Sequence, residues 1–174
     1  DFSHSLADQR TMCEFLANYV LSTWFLEAFD VIGYLWPNGE RGSGKTNLLL
    51  LISELGYLGQ FILAGGSYAS LRDLADCGAT LCFDDAENLA DSKFFDPDKR
   101  ALLLAGNRRG VTVPLKEPTT NKGWRTRYVN AYCPRAFSAI QLPDPVLSGR
   151  SIIVPLTRTP DRERANVDPT DYSV

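Results

Sequence analysis

A glycine-rich stretch between two apolar runs carries residue types that suit phosphate binding. Residues 39–46 read GERGSGKT and match the pattern G-x-x-x-x-G-K-[ST] at every fixed position. Glycines let backbone N–H groups approach a phosphate chain, and a helix that starts here directs its positive end at the same charge. A lysine ammonium reaches the outer phosphates, and a threonine hydroxyl can bind Mg²⁺. The predicted nucleotide-phosphate residues are Gly39, Glu40, Arg41, Gly42, Ser43, Gly44, Lys45, Thr46 and Asn47.

An acidic pair ends a later apolar run, in the segment TLCFDD at residues 80–85. A nucleotide site of this type needs a carboxylate at the tip of a neighbouring strand, so Asp84 is predicted to hold Mg²⁺ together with Thr46. Asp85 could polarise the attacking water, and Glu87 is a second candidate if the chain turns back. In the alternative interpretation the two aspartates cap a helix that begins near residue 86. The glycine-rich loop favours the metal interpretation.

A basic segment with interleaved aromatic residues occupies positions 100–135. It holds eight lysines and arginines against one acidic residue, Glu117, and includes Trp124, Tyr128 and Tyr132. This composition suits phosphate contacts and base stacking. The residues predicted to contact nucleic acid are Arg108, Arg109, Lys122, Arg125 and Arg127. The alternative is a solvated hairpin whose charges pair with acidic faces of the same fold or of the next subunit.

The apolar pattern predicts the elements that must position these residues. Thr11-x-x-Glu14 has the form of a capping box and predicts a helix over 11–29. A buried strand at 31–36 then leads into the glycine-rich loop, and a helix over 44–55 ends at Gly56. Further strands are predicted at 61–64, 79–85, 135–140 and 151–156, further helices at 67–76 and from 96 or 97 to 105, and a β-hairpin within 108–132.

Strands that alternate with helices imply a parallel sheet with helices on both faces. The predicted fold class is therefore α/β, with three αβα layers, a mainly parallel five-stranded sheet and an inserted β-hairpin. Residues 1–30 are expected to form an N-terminal helical segment, 31–158 the core domain, and 159–174 a polar tail.

The composition is that of a globular protein, with 44% apolar and 22% charged residues and a net charge of −3. The four cysteines form no C-x-x-C pair and there is one histidine, which argues against a zinc site and favours a reducing cytoplasm. No apolar stretch is long enough to span a membrane, and no signal peptide is visible. Because the chain begins without methionine, we expect it to be a piece of a longer protein.

With the glycine-rich loop and the acidic strand in place, the chain resembles P-loop ATPases of the AAA+ type. The segments FDDAENL, LLLAGNRRGVTVPL and YCPRAFSAIQLPDPVLSGRSIIVPLTR narrow the resemblance to ATPase domains of phage, plasmid and integrated-element proteins. Those domains are often joined to primase or helicase-like parts. The resemblance covers residues 31–158. It implies Mg²⁺-dependent ATP binding and hydrolysis by the motor domain of a helicase-like DNA replication protein, and assembly into a ring.

The resemblance also implies roles for later residues. A polar sensor residue should end the strand that lies between the phosphate-loop strand and the acidic strand; here RAFSAIQ is that strand, and Gln141 or Ser138 is the sensor. Arg150 occupies the position of an arginine that reaches a neighbouring subunit's nucleotide, although a surface salt bridge is an equal alternative. Asp85 stands where the family usually has glutamate. The lid domain that normally follows is expected to be absent.

Two other functions remain open at this stage. A nucleotide-dependent switch or assembly module would bind ADP tightly with little hydrolysis, and the shorter Asp85 favours it slightly. A small-molecule kinase would transfer the phosphate to an acceptor, but it would need an arginine-rich lid, and a sensor strand would be unexpected in it.

Overall fold

A computed structural model describes residues 9–63, 67–87, 97–120, 123–161 and 163. Within these ranges the chain is α/β, and five of its strands form one parallel sheet flanked by helices. The elements are α1 (Gln9–Trp24), a 3₁₀ turn (Leu26–Ala28), β1 (Tyr34–Asn38), α2 (Lys45–Leu55), β2 (Gln60–Leu63), α3 (Tyr68–Asp76), β3 (Leu81–Asp84), α4 (Pro97–Ala105), β4 (Thr112–Pro118), β5 (Trp124–Asn130), β6 (Arg135–Phe137), α5 (Pro145–Ser148) and β7 (Ser151–Pro155).

The strand order in the parallel sheet is β2-β3-β6-β1-β7. Strand β6 therefore lies between β1 and β3, and Ala136 is paired with Leu35 on one side and with Cys82 on the other. The expectation that the RAFSAIQ strand separates the phosphate-loop strand from the acidic strand is confirmed. Because neighbouring strands run in parallel, the carboxyl ends of β1, β3 and β6 meet at one edge of the sheet.

Alternate residues of the central strands point to opposite faces, as the pleat of a strand requires. On one face Leu35, Cys82 and Ala136 pack with residues of α1 and α2, including Leu49. Burial raises the pKa of the Cys82 thiol to about 12, so this cysteine is an inert core residue.

The other face of the sheet carries an aromatic core. Trp36, Phe83 and Phe137 pack there with residues of α3 and α4, and the Phe83 and Phe137 rings are stacked with centroids 5.1 Å apart. Helices thus cover both faces of the sheet, as the alternation of elements predicted, and the arrangement is compatible with three αβα layers.

The helix boundaries predicted at Gly56 and Ser67 are confirmed, whereas the helix predicted over 11–29 spans Gln9–Trp24 and is wrong at both ends. Gly56 ends α2, and the Ser67 hydroxyl caps α3 by accepting a hydrogen bond from the Ser70 N–H at 3.1 Å. The Thr11 capping box was wrong, because α1 is already helical at Gln9. The Glu14 carboxylate instead accepts a hydrogen bond from Arg10, one helical turn earlier, at 2.7 Å.

The predicted β-hairpin is confirmed as the antiparallel pair β4 and β5. Val113 and Val129 point towards the core domain, and Val129 is buried. The opposite face of the hairpin exposes Trp124 and Tyr128, with 69% and 68% of their surfaces accessible. Across the ranges that the structure describes, no helix is both long and apolar enough to cross a bilayer.

Helix α5 was not predicted, and its start depends on Asp144. The Asp144 carboxylate accepts hydrogen bonds from the backbone N–H groups of Val146 and Leu147, at 2.9 and 3.3 Å, and from Arg100 of α4 at 2.5 Å. Burial raises the pKa of this carboxyl, but the hydrogen bonds from Arg100 and the two N–H groups outweigh burial and hold the pKa below its ordinary value.

We expect Asp144→Ala to lower the free energy of unfolding by roughly 1–3 kcal/mol at pH 7, since the change removes a helix cap and a partner of a mostly buried guanidinium. A lowered folded-state pKa means that the unfolded state binds more protons. The stabilisation is therefore present above about pH 4 and disappears as pH falls through the folded pKa. Urea unfolding of both proteins at pH 7 and pH 3 should show the difference shrinking; an equal difference at both pH values would contradict this account.

Candidate active site

The predicted phosphate loop connects the carboxyl end of β1 to the first residue of α2, at the edge where β3 and β6 also end. Gly39 is needed because the chain is crowded: a Cβ there would lie 2.3 Å from the carbonyl oxygen of Leu156 and 2.7 Å from Ser43 Oγ. Gly44 is needed for its backbone, since its φ of 91° lies in the left-handed region. The sequence pattern and the local geometry therefore agree on the same turn.

Helix α2 begins without the side-chain cap that helices usually have. Gly44 is its N-cap residue, and no described side chain accepts a hydrogen bond from the first turn. The N–H groups of a first helical turn have no carbonyl partner within their own helix, and they carry the positive end of the helix dipole. The start of α2 is thus able to bind an anion held in the loop.

Lys45 lies half-buried across the loop. Its ammonium donates hydrogen bonds to the carbonyl oxygens of Gly39 and Glu40, at 2.7 and 2.9 Å. Carbonyl oxygens are weaker partners for an ammonium than phosphate oxygens, which carry charge. Lys45 is therefore placed where a phosphate chain could take over its hydrogen bonds. Asn47 follows on the exposed side of α2.

Asp84 joins the loop to two strand ends. Its carboxylate is buried and accepts a hydrogen bond from Thr46 Oγ1 at 3.0 Å on one oxygen and a short hydrogen bond from Ser138 Oγ on the other. Thr46 lies in the first turn of α2, Asp84 ends β3 and Ser138 follows β6. The fold thus brings together three residues from separate parts of the sequence, and among the described residues the Asp84 carboxylate bonds to these two hydroxyls.

The Thr46 hydroxyl and the Asp84 carboxylate are hard oxygen ligands of the kind that Mg²⁺ prefers. Among the described residues there is no group of three or more His, Cys, Asp or Glu that could hold a metal. Mg²⁺ in nucleotide sites is commonly bound by one or two protein groups, with phosphate oxygens and water completing an octahedron. The donor set at this edge fits Mg²⁺ bound in that way.

The two candidates for the water-polarising residue differ in their surroundings. Asp85 has a left-handed backbone, with φ 52°, and an exposed side chain that makes no hydrogen bond within the described ranges. Glu87 accepts hydrogen bonds from the Ile140 N–H at 3.0 and 3.2 Å, so its carboxylate holds the chain beyond β6. Strained backbone is frequent at functional sites, and Asp85 is the candidate with free oxygens.

Of the two sensor candidates, the structure brings Ser138 against Asp84 and not Gln141. Ser138 is buried, whereas Gln141 is exposed and contributes its backbone carbonyl to the indole N–H of Trp36, at 3.1 Å. Ser138 ends the strand directly, while Gln141 lies three residues further along the chain. Ser138 is therefore the sensor candidate that contacts Asp84.

Arg150 lies at the amino ends of the strands, opposite to the end that carries the loop. It precedes β7, whose first residue Ser151 is paired with Tyr34, so Arg150 is level with the start of β1, roughly 20 Å from the loop along the strand. Its guanidinium donates to the carbonyl oxygen of Val146 in α5 at 2.7 Å. Arg150 does not reach the phosphate loop of its own chain, and a role at a neighbour's nucleotide stays a prediction.

The arginines predicted to contact nucleic acid are largely paired within the fold. Arg125 and Arg127 bind Glu117 at 3.0 and 3.3 Å, and Arg127 also binds Asp76 of α3 at 2.5 Å. Hydrogen bonds from Arg125 first, and then from Arg127, hold the pKa of the Glu117 carboxyl below its ordinary value. This internal pairing is the alternative that the sequence left open.

The remaining basic residues of the segment have different surroundings. Arg109 binds Asp30 at 2.8 Å, and Arg108 is exposed and without a side-chain partner in the described ranges. Lys122 lies outside the described residues. Arg135 is fully buried and donates to the Tyr34 hydroxyl at 2.9 Å, so it belongs to the core and not to a basic surface.

Sequence reasoning missed Arg158, which lies beside the phosphate loop. Its Nε donates to the carbonyl oxygen of Arg41 at 2.6 Å and is 3.6 Å from a carboxylate oxygen of Glu40. No motif marks this residue. Its position could be inferred only from the strand order. Because β7 pairs in parallel with β1, a residue shortly after β7 must lie next to the turn that follows β1.

Comparison with known proteins adds no relative. The chain matches none of the protein-family models, and none of the curated proteins is significantly similar to it in sequence. The interpretation of the nucleotide site therefore depends on the residues and on their geometry.

Proposed function

We propose that this chain binds and hydrolyses ATP with Mg²⁺, as the motor domain of a helicase-like DNA replication protein of a mobile element. One observation carries the nucleotide part of the proposal. The hydroxyls of Thr46 and Ser138 converge on the Asp84 carboxylate at the point where the glycine-rich loop enters α2. The replication context comes from the resemblance of residues 31–158.

Each residue has a role that its position supports. Lys45 would exchange the two loop carbonyls for phosphate oxygens, and the first turn of α2 would add N–H donors to the same group. Thr46 and Asp84 would hold Mg²⁺, which supplies charge neutralisation at the phosphates. Asp85 would accept a hydrogen bond from the attacking water and orient it. Hydrolysis of this kind relies on positioning and electrostatics, without a covalent intermediate.

Two alternatives are separated by what they would do with the phosphate. A small-molecule kinase is disfavoured by strand β6, because a sensor strand between β1 and β3 would be unexpected in it. A nucleotide-dependent switch remains an alternative because Asp85 has one methylene fewer than glutamate. Release of inorganic phosphate indicates hydrolysis, a phosphorylated acceptor indicates a kinase, and tight ADP binding without turnover indicates a switch.

DNA binding and ring assembly are further parts of the proposal. Among the predicted contacts, Arg108 is exposed and its side chain has no partner among the residues that the structure describes, whereas Arg125 and Arg127 would have to leave Glu117. The resemblance supports both parts. Electrophoretic mobility of the protein with single-stranded DNA at two salt concentrations would test the first of them.

The main test replaces Asp84 with asparagine and measures ATP binding with and without Mg²⁺. Asparagine keeps the size of the side chain but removes the charge that attracts the metal. We expect Mg²⁺ to increase the ATP affinity of the original protein. In Asp84→Asn the factor by which Mg²⁺ increases affinity should be smaller, by roughly tenfold or more. Asp73→Asn, which removes an exposed carboxylate on α3, serves as the matched control. An unchanged influence of Mg²⁺ in Asp84→Asn would refute the metal assignment.

The same series distinguishes Asp85 from Glu87 as the water-polarising residue. Asp85→Asn should leave ATP affinity unchanged and slow phosphate release roughly a hundredfold or more, the effect usual for a positioned general base. Glu87→Gln should keep turnover, because an amide oxygen still accepts from the Ile140 N–H. If Glu87→Gln is inactive and Asp85→Asn is active, the role moves to Glu87.

A further inference from the structure

The chain that leaves β7 runs beside the phosphate loop. Strand β7 pairs with β1 up to Pro155 and Asn38, and the Leu156 N–H continues the pairing by donating to the Asn38 carbonyl oxygen at 2.7 Å. Beyond this point the chain after β1 turns into the loop, while the segment after β7 continues for two more residues, from Leu156 to Arg158. The strand pairing therefore places the Arg158 guanidinium against residues 40–42.

Arg158 contacts three consecutive loop residues. Its Nε donates to the Arg41 carbonyl oxygen at 2.6 Å and faces the Glu40 carboxylate at 3.6 Å. A Cβ on Gly42 would lie 3.3 to 3.6 Å from the guanidinium atoms, so the side chain passes directly over this glycine. Gly42 also has a φ of 76°, in the left-handed region where a residue with a side chain is strained.

The contact with the Arg41 carbonyl oxygen determines where the next N–H group points. The C=O of Arg41 and the N–H of Gly42 belong to one planar trans peptide and point in opposite directions. With the oxygen held outwards by Arg158, the Gly42 N–H is directed away from the guanidinium. An outward carbonyl also keeps an oxygen from facing the anion that the loop is proposed to bind.

Arg158 differs from Lys45 in what ligand binding does to its contacts. Lys45 also holds the loop, through the carbonyl oxygens of Gly39 and Glu40, but it must release them to contact phosphate. Arg158 contacts the Arg41 carbonyl oxygen, on the opposite side of that peptide from the Gly42 N–H, so a ligand bound by this N–H would not need to displace it. Within residues 40–43 themselves, the structure describes one backbone hydrogen bond, from the Ser43 N–H to the Glu40 carbonyl oxygen, and at 3.3 Å it is long.

We propose that Arg158 is a positioning residue that keeps residues 40–42 in the conformation that receives a phosphate chain. The proposal rests on the proposed nucleotide binding, and it names a residue outside the G-x-x-x-x-G-K-[ST] pattern. Without Arg158 the loop populates other conformations. The apparent nucleotide affinity then falls in proportion to the fraction of molecules whose loop remains competent to bind. That loss applies equally to ATP and ADP, because the outer phosphate is not involved.

The first test measures affinity and turnover in Arg158→Ala. We expect ATP and ADP affinity to fall by the same factor, roughly five- to twentyfold, with kcat at saturating ATP unchanged. Arg158→Lys keeps an N–H donor and should recover part of the affinity. Arg10→Ala is the matched control, since Arg10 is an exposed, ion-paired arginine on α1. A larger loss for ATP than for ADP, or a lower kcat, would overturn the proposal and make Arg158 a direct phosphate contact.

The second test needs no nucleotide. Trypsin cleaves after arginine, and Arg41 is exposed on the loop that Arg158 holds. Limited proteolysis of Arg158→Ala should cleave the Arg41–Gly42 bond several-fold faster, while cleavage after Arg108 keeps its rate and shows that the fold is intact. Unchanged cleavage after Arg41 would overturn the role of Arg158. A protein that binds neither ATP nor ADP would instead overturn the proposed function, so the two failures are distinguishable.

Discussion

Lys45→Ala should lower ATP affinity roughly a hundredfold and abolish turnover, since a hydrogen-bonded charge contact is worth about 1.5–3 kcal/mol. Lys45 is half-buried, and within the described part of the chain its ammonium bonds to the carbonyl oxygens of Gly39 and Glu40 and to no other group. Its loss should therefore change the free energy of unfolding by less than about 1 kcal/mol. Titration with a fluorescent ATP analogue, together with urea unfolding, measures both quantities.

Lys116→Ala provides the control for Lys45→Ala, because it removes the same charge from an exposed position on β4. The control should bind ATP as the original protein does. ATP binding and hydrolysis that survive in Lys45→Ala would refute the phosphate-loop assignment. A large loss of stability would instead show that the lysine has a structural role that its two contacts do not explain.

Arg150→Ala should lower ATP turnover roughly a thousandfold in the full-length assembly, while ATP affinity changes little. The physical reason is that a nucleotide site with one lysine lacks a second cation on the side where the outer phosphate leaves. Arg150 lies at the amino ends of the strands, and its own loop lies at their carboxyl ends. Its guanidinium is held by the Val146 carbonyl oxygen of α5. If Arg150 acts on a nucleotide, we therefore expect that nucleotide to belong to a neighbouring subunit, and we expect the isolated chain to be a poor ATPase.

Mixing two inactive variants tests whether Arg150 acts on a neighbour. Arg150→Ala retains an intact loop, and Lys45→Ala retains the arginine, so a mixed assembly contains some sites with both groups. We expect the mixture to recover part of the phosphate release that each variant lacks alone. If mixed oligomers form and stay inactive, or if Arg150→Ala is fully active, the residue has a surface role only.

The short-range features of this protein could be predicted from its sequence. The glycine-rich loop, the end of α2 at Gly56 and the cap of α3 at Ser67 depend on residues a few positions apart, whose backbone preferences are intrinsic. The hairpin followed from alternating polar and apolar residues around a polar turn. The Thr11 capping box failed because the same residue types also occur inside a helix, where Glu14 pairs with Arg10.

The acidic strand was predictable for a different reason. Asp84 ends an apolar run, and a parallel sheet brings strand ends to one edge, so its proximity to Thr46 follows from the fold class. The choice of Ser138 over Gln141 did not follow, because it depends on where β6 ends relative to β3. Phe83 pairs with Phe137, and this register places the next hydroxyl beside Asp84.

The sequence by itself therefore determined the loop, the order of the elements and the residue types available for phosphate and Mg²⁺. The tertiary structure alone decided which charged residues from distant parts of the chain meet. Arg125 and Arg127 meet Glu117 across the hairpin, Arg127 also meets Asp76 on α3, and Arg158 meets the loop across 117 positions of the chain. Such contacts depend on strand order and pairing register, which are set by packing of the whole core and leave no local pattern in the sequence.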